Sequence, residues 1–142
     1  MVEIRWRTFG PLRPHRRYVA LATYLPLRRR RDIIPVLRLN GAIRSQLAET
    51  KGLLGYSLRS SLLGGKLWTL SLWTDGPASE AFVRVGPHRR AMAALAHLIG
   101  PDAVVTRWSV RGSDGPPSWA DALQHLELQR HRRSGASDAS EE

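Results

Sequence analysis

The chain has 142 residues, 42% hydrophobic and 24% charged, with no cysteine and a formal net charge of +10. That length suits one domain with its own core, and the missing cysteine excludes disulfides, thiolate metal sites and cysteine nucleophiles. No apolar run approaches the roughly 20 residues of a membrane helix, and MVEIRWRTFGPLRPHRR lacks the apolar centre of a signal peptide, so the sequence predicts a cytoplasmic protein with no membrane partner.

Residues 1–17 read as an irregular basic arm, because Gly10-Pro11 and Pro14 break regular structure. Arginine outnumbers lysine 20 to 2, and residues 1–31 hold nine arginines against one acid, Glu3. Most of the net charge therefore sits at one end of the chain. Base-reading motifs are absent, so this stretch reads as a solvated arm and loop, and nucleic acid is disfavoured as a partner. Tyr18 to Leu25 (YVALATYL) carries β-branched and aromatic residues without charge and reads as a buried strand. Arg28–Arg31 is a solvated turn.

A helix is expected from Asp32, which can cap it, to Thr50, with Lys51-Gly52 as its stop. Ile33, Val36, Leu37, Ile43 and Leu47 share one face at helical spacing. Asn40 interrupts that face and Arg44 lies beside it. Leu53 to Leu62 reads as a second strand and Gly64-Gly65 as a hairpin turn. Lys66 to Thr74 is the third strand, with Trp68, Leu70 and Leu72 on one side and Thr69, Ser71 and Trp73 on the other. A short helix (Gly76 to Val85) and a longer one (Pro87 to Ile99) follow, ended by Gly100-Pro101. Ala103 to Val110 is the fourth strand. Ser118 can cap a last helix from Trp119 to about His131. Residues 132–142 have the composition of a disordered tail, which leaves 18–131 as one domain.

The order β-α-β-β-α-β is the α+β, ferredoxin-like plan, an antiparallel sheet with helices on one face. Apolar residues alternate on both sides of these strands, so the second face also needs a cover. A second copy stacked sheet to sheet is the simplest one, giving a symmetric homodimer. The helix after Trp119 is an addition to that plan.

Several side chains are candidates for chemistry. His88 stands in the first turn of its helix on the face of Met92, Leu95 and Ile99, so its ring is expected to point at the sheet. The positive end of a helix disfavours imidazolium, which favours a neutral ring able to act as base or ligand. The structural alternative is a half-buried histidine bonded to backbone. Asn40, an amide on an apolar face, must find partners or cost about 1–3 kcal/mol; it suits orienting a ligand oxygen or bonding a neighbouring backbone. Arg44 suits an anionic ligand, or packs its stem while its head reaches water. Trp68, Trp73 and Trp108 are candidates for a flat aromatic pocket, or else for plain core or dimer interface. Trp73, sharing a face with Thr69 and Ser71, is the strongest of them, and Tyr24 at the end of the first strand is an addition. The five histidines (15, 88, 97, 125, 131) show no metal spacing, and no phosphate loop, dinucleotide fingerprint or nucleophile elbow occurs.

Gly52-Leu53, the WTLSLW strand followed by Asp75, Ala81-Phe82, and His88 with Ala91-Met92 together carry a resemblance. The stretch from Tyr18 to Val110 resembles the dimeric α+β barrel superfamily, in particular the antibiotic biosynthesis monooxygenases. The resemblance implies a small hydrophobic or aromatic ligand between sheet and helices and, for an oxygenase, a cofactor-independent reaction on an electron-rich substrate. His88 would then be the acid/base group. Asn40, Trp73, Arg44, Tyr24, Thr69 and Met92 would line the substrate site, with no metal. Two other readings stay open. One is a haem-binding or haem-degrading barrel with His88 as axial ligand. The other is a non-enzymatic barrel whose arginine-rich arm binds an acidic partner.

Overall fold

The computed structural model describes residues 2–47, 49–84, 89–90, 93 and 95–141, without the side chains of 42–46, 83–84 and 136–141. Five strands form one sheet, β1 (Val2–Thr8), β2 (Arg17–Pro26), β3 (Leu53–Ser61), β4 (Lys66–Trp73) and β5 (Val104–Arg111). The helices are α1 (Ile33–Leu47), α2 (Gly76–Arg84) and α3 (Trp119–Glu141), and residues 89, 90, 93 and 95 are also helical. The strand order is β1-β3-β4-β2-β5, and every neighbouring pair is antiparallel. The last four strands in this order are the expected ferredoxin-like sheet.

The fifth strand corrects the expected irregular arm. Val2–Thr8 pairs with β3 from Val2↔Ser60 to Thr8↔Gly55. The Gly10-Pro11 and Pro14 breakers act only after this strand. Its register shifts between Ile4↔Leu58 and Arg7↔Tyr56. The extra residue is a bulge, and a bulge reverses the side-chain alternation beyond it. Ile4 therefore packs with the core on one sheet face, while Trp6, only two residues on, packs on the other. Gly55 makes room for Trp6, since a Cβ there would overlap the indole. Exposed Glu3, Arg5 and Arg7 leave this edge charged, which discourages pairing with further strands.

Cross-strand register sorts the remaining side chains. Val19↔Trp73, Leu21↔Ser71, Thr23↔Thr69 and Leu25↔Leu67 pair across β2 and β4. These residues share the face covered by α1 and α2, where Leu21, Val36, Leu47, Leu53, Tyr56, Leu58, Leu67 and Trp73 form a buried cluster. Between strand and helix, Gly52 adopts φ +86, and a Cβ there would meet Ala78 Cβ at 2.6 Å. Only glycine tolerates both demands. Asp75 caps α2 by accepting from Ala78 N at 2.8 Å.

The opposite face is also covered, but not as expected. Tyr18, Ala20, Ala22, Leu70, Leu72, Val104 and Val110 are buried there. Over Ala22, Leu70 and Val104 the cover is α3, through Ala122, Leu126 and the half-buried Trp119, while Trp6, Leu12 and Leu54 pack on the cluster of Tyr18, Ala20, Leu72 and Val110. His125 stacks on Trp108 with ring centroids 4.2 Å apart and planes 12° from parallel. Small side chains at Ala20, Ala22 and Ser57 let the helix and its rings approach the strands. The chain's own last helix thus packs on part of the face that the sequence leaves for a second copy.

That helix starts with a reciprocal capping box. Ser118 Oγ accepts from Asp121 N at 3.1 Å, and Asp121 Oδ2 accepts from Ser118 N at 3.4 Å. It continues to Glu141 rather than stopping near His131, so residues 132–141 of the expected tail are helical. Arg133 Nη1 donates to Ala103 O, and Glu127 faces Arg130 and His131 along the helix. The helix before β5 instead ends early. Residues 96–98 form a turn and Ile99 bridges to Leu27. Arg28 N donates to Leu98 O at 2.8 Å and Gly100 N to Pro26 O at 2.7 Å, which ties this turn to the end of β2. Among the described residues no helix is long and apolar enough to cross a membrane.

Candidate functional site

A cavity of about 250 Å³ lies between α1, α2 and the sheet. Its floor is a grid set by strand register. One row runs Arg107, Leu21, Ser71, Tyr56 across β5, β2, β4 and β3. The next runs Val105, Thr23 and Thr69, with Leu58 paired beyond them in the core. Val36, Asn40 and Leu47 of α1 and Phe82 of α2 close the far side, with Leu95. Most of these residues are apolar, which suits a hydrophobic ligand fixed by a few polar groups.

The polar groups of the floor are largely engaged with one another. Thr23 Oγ1 and Thr69 Oγ1 share a hydrogen bond of 2.6 Å. Trp73, only 1% exposed, donates its Nε1–H to Ser71 Oγ at 2.9 Å. Ser71 in turn donates to Leu21 O at 3.5 Å. Trp73 also packs on Phe82, with ring centroids 5.1 Å apart. The result is an aromatic wall whose polar edge is already satisfied, so it presents carbon to a ligand. Tyr56 donates its hydroxyl to Asn40 Oδ1 at 3.4 Å. This contact gives the expected partner to Asn40 and leaves its amide hydrogens for a ligand oxygen.

Asn40, Thr69 and Trp73 are therefore brought together at one cavity. Tyr24 is not. Strand alternation puts it on the opposite face, where it packs on Trp68 at 5.5 Å beneath Arg130. Trp68 and Trp108 also lie on that face, packed on its core, and only Trp73 lines the cavity. The side chain of Arg44, and the whole of His88 and Met92, lie outside the described residues. Tyr56, Thr23 and Arg107 line the cavity but escaped the sequence reading. Alternation along β5 was a usable signal for Arg107. The bulge between Leu53 and Gly55 disguised the phase of Tyr56.

Among the described residues no group of three or more His, Cys, Asp or Glu could hold a metal ion. None of the described cavity residues is His, Cys or Met, the usual axial ligands of haem. Tyr56, its phenol, is bonded to Asn40. His88, the axial ligand of the haem reading, lies outside the described residues.

No family model matches the chain, and no curated protein matches it by sequence. Solved structures do. The fold is that of the antibiotic biosynthesis monooxygenases. SnoaB, a cofactor-independent oxygenase from Streptomyces nogalater, superposes with a TM-score of 0.55 at 14% identity, over 66% of this chain and 93% of its own. An antibiotic biosynthesis monooxygenase gives 0.57 at 15% identity, over 63% and 95%. A conserved protein from Methanosarcina mazei Go1 gives 0.58 at 11% identity, over 64% and 90%. The resemblance read from the WTLSLW strand and its surroundings is thus borne out as a fold. About a third of this chain falls outside each match.

Proposed function

We propose that this chain binds a small hydrophobic or aromatic molecule in the cavity between α1, α2 and the sheet, and oxidises it as a cofactor-independent monooxygenase. The supporting observation is the cavity itself, with Trp73 and Phe82 as aromatic wall and Asn40 beside Tyr56 as a polar clamp. The fold shared with SnoaB favours the oxygenase over other reactions.

In this reading an activated methylene of the substrate loses a proton, and the carbanion gives its electrons to dioxygen. A carbon–oxygen bond forms and gives a hydroperoxide. Loss of water then leaves a carbonyl, so one oxygen atom enters the substrate and the other leaves as water. His88 is the group proposed to take the first proton. Asn40 holds the oxygen on which the negative charge gathers, which is where fixed donors lower a barrier most. Trp73 and Thr69 keep the ring system over the floor.

The test is oxygen uptake by the full chain with an electron-rich polycyclic phenol that carries an activated ring methylene, in chelator and without added cofactor. Uptake that is lost in Asn40→Ala and His88→Ala, with melting unchanged, supports the reading. Binding without uptake across a panel of such phenols would reduce the protein to a carrier.

A further inference from the structure

We infer that Arg107 makes this cavity selective for hydrophobic molecules that carry an anionic group. The inference rests on the reading of the cavity as a ligand site and names the class of ligand. Arg107 is the single charged residue among the described cavity residues. It stands on the edge strand β5, exposed, next to Leu21 and on the cavity side of the sheet. The ion pairs among the described residues join Arg59 to Glu3 and Glu127 to Arg130 and His131, so no described carboxylate neutralises it.

An arginine on an edge strand also discourages strand pairing. Arg111 on the same strand serves that role without lining the cavity. What sets Arg107 apart is its surroundings. The hydroxyls of the floor are taken up by one another and by Trp73 and Leu21. That leaves a guanidinium, with five donors in a rigid fork, at the mouth of an apolar chamber. A carboxylate, sulfonate or phenolate placed there gains charge-assisted hydrogen bonds on one side and stays hydrated on the other. From β5 to β3 the floor spans three strand spacings, about 14 Å at roughly 4.8 Å each. A body of two or three fused rings anchored at Arg107 therefore reaches Asn40 and Tyr56.

Two fluorescent probes with the same rings test this. 1-Anilinonaphthalene-8-sulfonate is anionic and N-phenyl-1-naphthylamine is neutral. The full chain is expected to bind both, the sulfonate more tightly. Arg107→Gln should weaken sulfonate binding about tenfold, the loss of one charge-assisted contact, and leave the neutral probe within about twofold. Arg107→Lys should keep part of the preference, and the remote Arg132→Gln should change neither probe. Equal losses for both probes in Arg107→Gln, or no loss for the sulfonate, would overturn the anionic anchor while leaving the cavity as a ligand site. Failure of the unmodified chain to bind either probe would overturn the ligand site itself, and the anchor with it.

Discussion

Trp119 Nε1 donates to Ser57 Oγ at 3.0 Å, and the same hydroxyl donates to Ile4 O at 2.7 Å. This short relay joins α3 to β3 and the first strand through one small buried side chain. Arg59 lies over the same indole at 4.8 Å and pairs with Glu3 on β1. The first and last segments of the chain are thus fastened to the sheet at one place.

Trp119 is expected to matter more for stability than its partial exposure suggests. Trp119→Phe removes the hydrogen bond and should cost about 1 kcal/mol. Trp119→Ala also removes the ring from the second face and should cost about 3 kcal/mol. Urea unfolding of both variants gives the comparison. Equal, small losses would mean that α3 is held elsewhere.

Gly55 and Trp6 form a matched pair. Gly55→Ala pushes a methyl into the indole and should destabilise by about 2 kcal/mol. In a Trp6→Leu background the same change should cost much less, because the obstructing ring is gone. A double-mutant cycle of unfolding midpoints measures the coupling. Additive losses would show that Trp6 does not sit over Gly55.

The Thr23–Thr69 bond on the cavity floor should behave asymmetrically. Thr69→Val leaves the partner hydroxyl without its bond and should cost about 1–2 kcal/mol. Replacing both threonines by valine should cost less than the two single changes added together. The double variant also keeps the floor apolar, so binding of N-phenyl-1-naphthylamine should be retained. Unfolding free energies and probe titrations check both parts.

Removing α3 should change the association state. A chain ending at Pro116 uncovers Ala22, Leu70 and Val104 on the sheet. A broad apolar face of this kind drives self-association. Size-exclusion chromatography with light scattering should show the truncated chain as dimers or larger species relative to the intact one. An unchanged mass would mean that this face does not need its helix.

Much of the fold was legible in the sequence because strand and helix periods are local. The WTLSLW alternation placed Trp73 with Thr69 and Ser71, and Ser118 marked the start of α3. The ferredoxin-like order of elements followed from these pieces. Tyr24 was misplaced because its neighbours in sequence do not say which face of β2 the helices choose. Tyr56 was missed because a bulge two residues earlier changes the phase of its strand. Residues 2–8 were read as irregular because the strand they join lies about fifty positions away.

The sequence by itself therefore determined β2 to β5, the helices α1 and α2, the start of α3 and the apolar character of both sheet faces. Local periodicity and capping chemistry suffice for that. Only the tertiary structure decided what packs on each face, which residues meet at the cavity, and that Trp6 and Trp119 lie on the face opposite the cavity. Those outcomes depend on register, bulges and long-range packing, where one residue of slip moves a side chain from one face of the sheet to the other.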